Sequence, residues 1–248
     1  LEKRKEEVVK SIEEQGKLTE EISKSIEDAK TLAEVEDIYR PYKPKKKTRA
    51  TVAKAKGLEP LANIIIEQKE TKPLEEIAKD FVNVDTVEND TPKDKIVANV
   101  EEAIGGALDI IAENISDNPK YRKKIKGICY REAVINVKAT KPEEKSSYDM
   151  YYDFNESVNR LPSHRILAIN RGEKEDFLKV KIDKPEEKIL DYIERDTIKG
   201  HTQFEPYLKN AIEDSWKRLI EPSIDREIRS DLTEKAEEKA IKVFGKNA

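Results

Sequence analysis

Apolar residues in this chain recur at steps of three and four, and that spacing sets one stripe of a helix toward a core. Val8, Val9 and Ile12 are followed by Leu18, Ile22 and Ile26, then by Leu32, Val35 and Ile38. Ile96, Val97, Val100, Ile104, Leu108, Ile111 and Ile115 mark a long amphipathic helix, and Ile224, Ile228, Leu232, Ala236 and Ala240 another. Charged residues make up 40% of the chain and apolar ones 36%, so the core must be narrow relative to the surface. Eight glycines in 248 residues leave few tight turns, which disfavours a many-stranded sandwich or barrel. The expected fold is mainly α: an elongated multi-helix assembly with at most a small β ribbon near residues 176–183, where Phe177, Leu178, Val180 and Ile182 give the best strand signal.

Three subdomains are expected: 1–90, helical and basic in its middle; 91–203, central and helical with an irregular tyrosine-rich region; and 204–248, a long helical connector. Gly16 separates the first two helices, and Thr31 with Glu34 forms a capping-box pattern for the third. Pro41 and Pro44 make Tyr39–Lys47 non-helical, and Gly57 caps a short helix from about Thr51 to Lys56. Gly105 and Gly106 signal a kink or a close helix crossing. Asp117-Asn118-Pro119 restarts a helix expected to run from Tyr121 to Val137, and Ser163 is expected to cap a helix reaching Arg171.

Cys129, the single cysteine, excludes an intramolecular disulfide framework, and a reducing, cytoplasmic setting is the default. No run approaches the ~20 apolar residues of a membrane span, so no membrane partner is expected. The start at Leu1 fits a piece of a longer polypeptide.

Charge is distributed unevenly. The chain carries a formal charge of −4, yet eight Lys or Arg fall in the 21 residues Ile38–Leu58, which contain no acid. Such a segment suits a polyanion or an acidic partner. Lys43, Lys45, Lys46, Lys47 and Arg49 are candidates to neutralise phosphates, Lys54 and Lys56 to extend the stripe, and Tyr39 or Tyr42 to stack on a base. The competing reading is a solvated loop whose tyrosines anchor it to neighbouring helices.

Catalytic signals are weak. His164, Arg165, Arg171, Glu173 and Glu175 lie close in sequence but match no hydrolase or kinase spacing. His201 has no metal-ligand neighbour, and phosphate-binding glycine loops are missing. Trp216 sits at helical spacing with Ile212, Leu219 and Ile220, which indicates packing. No enzyme activity, metal or cofactor is expected.

The order YRPYKPKKKTRA followed by KGLEPLA at residues 39–62 resembles the signature of the Tex family of bacterial transcription accessory proteins. LPSHRILAINRGEKE at 161–175 and WKRLIEPSIDREIRSDLTEKAEEKAIKVF at 216–244 are similar to two further elements of that family, in the same order. The resemblance implies a multidomain RNA-associated protein in which a helical region precedes an RNase-H-like YqgF domain, helix-hairpin-helix elements and an RNA-binding domain. On it the chain is expected to be an N-terminal scaffold giving an accessory, sequence-nonspecific contact to RNA or another nucleic acid, to RNA polymerase or to the ribosome. The alternative is a structural module that positions the YqgF-like and RNA-binding domains of the parent chain.

Overall fold

Gly16 and Thr31 already divide the first forty residues into three helical runs. The computed structural model, which describes residues 1–44 and 46–247, places them as α1 (Glu2–Glu14), α2 (Glu20–Asp28) and α3 (Leu32–Tyr39). Gly16 takes φ 68° between the first two, a conformation costly for a residue with a Cβ. Thr19 and Thr31 accept from the amides of Ile22 and Glu34, each at 3.2 Å, satisfying donors that a helix start leaves unpaired. The Glu34 carboxylate reaches back to the Lys30 amide at 2.6 Å, one residue earlier than the capping-box pattern requires. Val8, Ile12, Ile26, Ala29, Val35 and Tyr39 close a small core, and Leu1–Thr48 forms one compact unit.

Arg49–Ala248 forms the second unit. It opens with α4 (Arg49–Ala55), α5 (Glu59–Glu67) and α6 (Leu74–Lys79), all packed on α7 (Val100–Asp117). The buried face of α7 alternates Ala103, Ala107 and Ala112 with Ile104, Ile110, Ile111 and Ile115, so that neighbours approach closely at the alanines. Ile96 and Val97, expected on this helix, precede it, because Asn99 caps the start by accepting from the Glu102 amide at 2.8 Å. Val97 is nevertheless buried. Asn118 then accepts from the Lys120 and Tyr121 amides, and Pro119 begins α8 (Pro119–Glu132).

The expected helix to Val137 stops at Glu132. Ala133-Val134-Ile135-Asn136-Val137 is β-branched at three of its five positions and alternates in burial, which suits a pleated strand better than a helix. The result is β1 (Val134–Ala139), flanked antiparallel by β2 (Asp153–Ser157) and β3 (Leu178–Asp183) in the order β2-β1-β3. Thus the ribbon expected at 176–183 is the edge of a three-stranded sheet. Ile135 and Val137 face Ile182 and Val180 across the β1–β3 ladder. The tyrosine-rich stretch before β2 is also ordered by burial: Tyr148 stacks near Phe177 at 5.7 Å, and Tyr151 meets Phe154 edge-on at 5.3 Å.

Helix α9 (Ser163–Lys174) lies between the strands in sequence; Ser163 is its first residue and makes no capping bond. After β3 come α10 (Glu186–Thr197), α11 (Glu205–Asp214), a π-helical segment at Ser215–Ile220 and α12 (Glu221–Asn247). The wide turn buries Trp216, whose indole N–H donates to Glu186 at 2.7 Å, and lets the Ser215 hydroxyl donate to the Ala112 carbonyl at 2.6 Å. One core runs from Ala50 to Ala236, across both 90/91 and 203/204. The compact units therefore divide after Thr48, inside the expected first subdomain.

Candidate nucleic-acid interface

Approaching the basic segment, α3 tightens at Pro41 into a 3-10 turn over Arg40–Tyr42, and the Lys43 amide closes onto the Tyr39 carbonyl at 2.9 Å. This turn was not expected between two proline signals; the first proline's fixed φ suits the start of a helical turn as well as an extended chain. Tyr39 is only 8% exposed, its hydroxyl is 2.8 Å from that of Ser11, and the Arg4 guanidinium lies over its ring at 5.4 Å. Tyr42 packs half-buried at the edge of the same core, while its carbonyl accepts from the Gln15 amide at 2.7 Å. Both tyrosines anchor the segment to the first unit.

The lysines that follow point elsewhere. Lys43, Lys46 and Lys47 are exposed, and among the described residues no carboxylate lies within 4.0 Å of any of them. Lys45 lies outside the described residues. Glu36, the acid that feels Lys43, is already held below the usual carboxylate range, chiefly by its hydrogen bond from Arg4 and less by Lys43. The positive charge of the three lysines is thus left for solvent or a partner.

In the second unit, α4 turns Ala50 and Ala53 inward and carries Arg49 and Lys54 exposed; Lys56 follows it, half-buried, before Gly57 at φ 78°. Seven residues separate Arg49 from Lys56, which sets them on one flank of the helix direction, with Lys54 on the other. These cations bracket the buried face instead of forming the single stripe the sequence suggested. Arg49 acts at longer range on Asp109, whose carboxyl is pushed up mainly by burial, with Arg218 and then Arg49 opposing. Sequence spacing did not single out Lys93 and Lys95, both exposed on a 3-10 turn that lies against α4. Their signal was Thr91-Pro92 followed by two lysines in a polar connector.

The residues of 161–175 diverge. His164 is exposed on the first turn of α9, Arg165 stacks over Phe154 at 5.3 Å, Glu173 pairs with Arg229 at 2.7 Å, and Glu175 accepts from the Tyr148 hydroxyl at 2.8 Å. No general base faces a nucleophile there. His201 meets Glu205 at 3.0 Å, and among the described residues no three His, Cys, Asp or Glu are grouped to hold a metal. Burial pushes the Cys129 thiol up to about 11, away from nucleophilic character. Beside His164 an apolar groove of about 270 Å³ is lined by Leu167, Ala236, Lys239, Val243 and Phe244. No described helix is long and apolar enough to cross a membrane.

A family profile described as Tex central region-like matches residues 68–244. Over its whole length the chain is 47% identical to the Bacillus subtilis "Uncharacterized protein YdcI", covering 34% of that protein. It is 31% identical to the "Transcriptional accessory protein Tex" of Neisseria gonorrhoeae, with all of this chain and 32% of that one aligned. The human "S1 RNA-binding domain-containing protein 1" is 28% identical over 96% of this chain and 24% of its own length. The chain spans about a third of the length of these bacterial relatives.

Proposed function

Since the chain belongs to the Tex central region-like family, we propose that it is a scaffold that gives a longer transcription accessory protein an accessory, sequence-nonspecific contact to single-stranded RNA. The observation that carries this reading is the set of exposed, unpaired Lys43, Lys46 and Lys47 following a turn that buried Tyr39 and half-buried Tyr42 hold in place. Lys45 joins the set on sequence grounds, and Arg49, Lys54 and Lys56 add cations on the second unit. Phosphate contacts of this kind position a protein without reading bases. Tyr39 and Tyr42 act as anchors here, and the role is binding in the cytoplasm without catalysis. Similarity to a transcriptional accessory protein and to an S1 RNA-binding domain-containing protein favours RNA as the polyanion.

Fluorescence anisotropy of an oligouridylate against increasing KCl tests it. Binding should weaken steeply with salt, and changing Lys43, Lys46 and Lys47 to Ala should reduce the slope of log K against log salt by about 2, at ~0.7 per phosphate contact on single strands. No binding at low salt would overturn the reading.

A second reading, an interaction module that positions YqgF-like and RNA-binding domains of a longer chain or docks RNA polymerase or the ribosome, is favoured by one feature. Ile241, Val243 and Phe244 are 71%, 51% and 76% exposed on α12 beside the apolar groove. Apolar side chains concentrated so closely mark a surface that a partner covers.

A further inference from the structure

Residues 83–97 leave the helical framework, yet their two ends are tied together by one side chain. The Asn83 amide nitrogen donates to the Lys95 carbonyl at 3.0 Å, and its oxygen accepts from the Val97 amide at 2.6 Å. The Asn83 backbone N–H donates to the Val97 carbonyl at 3.1 Å, and Val97 itself is fully buried. Between these ties the Lys95 and Ile96 amides close onto the carbonyls of Pro92 and Lys93 at 3.0 and 3.2 Å, which makes Lys93–Lys95 a fixed 3-10 turn.

That turn lies against α4, the helix that carries Arg49 and Lys54. Lys93 and Lys95 are exposed, and among the described residues neither has a carboxylate within 4.0 Å. Asp94 is the one acid on the turn, whereas Asp85, earlier in the loop, lines a separate hollow with Glu75 and Glu101. Arg49, Lys54, Lys56, Lys93 and Lys95 therefore gather five cations on elements of one compact unit, with Asp94 on the turn, Glu88 and Asp90 before it in the loop, and Asp109, on which Arg49 acts, on α7. A backbone fixed before binding leaves only the lysine side chains to be ordered, so each contact costs less entropy than on a free loop.

We propose that the Asn83-clamped turn is a second phosphate-contacting element, which together with α4 forms an RNA backbone site on the second unit. This rests on the reading of the chain as an RNA contact, and it extends that contact beyond the lysine run to residues separated from it by more than forty positions. Asn83 is a positioning residue: it carries no charge and touches no phosphate.

Anisotropy titrations of an oligouridylate against KCl separate the two claims, using the wild-type chain, the variant with Lys43, Lys46 and Lys47 changed to Ala, and three further variants, all with folding checked by urea unfolding. The Lys93→Ala/Lys95→Ala variant should lose about 1.4 from the salt slope, two contacts at ~0.7 each, while Lys93→Arg/Lys95→Arg retains it. Asn83→Ala should weaken binding several-fold at unchanged net charge. If the Lys43, Lys46 and Lys47 substitutions lower the slope while those at Lys93 and Lys95 leave it untouched, the second element is overturned and the first contact stands. If the wild-type chain does not bind at all, both fall.

Discussion

Gly105 and Gly106 stand side by side on α7 and face different surroundings. A Cβ on Gly106 would come 2.4 Å from the Leu58 Cδ1 and 3.3 Å from the Ala53 Cβ, whereas one on Gly105 would meet nothing within 4 Å. Leu58 is fully buried and Ala53 nearly so, so neither can withdraw without disturbing the packing of α4 on α7. Gly106→Ala should therefore cost about 1–3 kcal/mol, in the range of core overpacking. Gly105→Ala, at an exposed helical position, should stabilise by ~0.5–1 kcal/mol. Urea unfolding of the two single variants checks both signs; equal effects would refute the close-crossing role of Gly106. The sequence showed that the glycine pair mattered, but not which member bears the contact, because the answer depends on a leucine nearly fifty residues earlier.

Helices were legible wherever a polar cap or a glycine punctuated a three-four spacing, as at Gly16, Thr31, Asn118 and Gly57. Of the strands only β3 was legible, since β1 follows α8 with only Ala133 between them and β2 pairs with residues fifteen or more positions away. The basic segment was legible as charge and the anchoring of its tyrosines as one of two readings; the clamped turn was not, because it depends on a partner distant in sequence. Helix α8 shows what such partners contribute. Tyr130 donates to Asp231 and Lys126 lies 3.1 Å from it on α12, while Tyr121 and Lys120 hold Asp196 on α10 at 2.6 and 3.0 Å. The tyrosine hydrogen bonds, more than the lysines, hold both carboxyls below their usual range. A group whose pKa is lowered on folding stabilises the fold above its unfolded value, near ~4, and loses that contribution as pH falls through the lowered folded value. Stability measured in urea should thus drop on acidification from about pH 6 to about pH 3. Tyr130→Phe should flatten that drop while lowering neutral-pH stability by about 1 kcal/mol. An unchanged acid dependence in the variant would show that Asp231 is not held this way.

At the scale of the whole molecule, the division into two compact units falls at Thr48/Arg49, within the stretch richest in cations. Each unit has its own core, but the first rests on six buried apolar residues and the second on a cluster reaching from Ala50 to Ala236. Small units bury a smaller fraction of their surface and are correspondingly marginal. Trypsin, which cleaves after Lys and Arg unless proline follows, as Pro44 follows Lys43, should therefore cut first after Lys46, Lys47 or Arg49, where exposed side chains lie outside the longer helices or at the start of α4. Trimming of the exposed last turns of α12 should accompany it. A product beginning near Ala50 should then persist, while the N-terminal piece is degraded further. An oligouridylate added beforehand should slow the first cut at low salt and lose its effect as KCl rises, because protection requires the same phosphate contacts that salt competes away. Mass spectrometry of the early fragments reads the outcome. Cuts at Lys93 or Lys95 appearing first would mean that the Asn83 clamp does not hold its turn, and an unprotected Lys43–Arg49 stretch would place any RNA contact elsewhere on the chain.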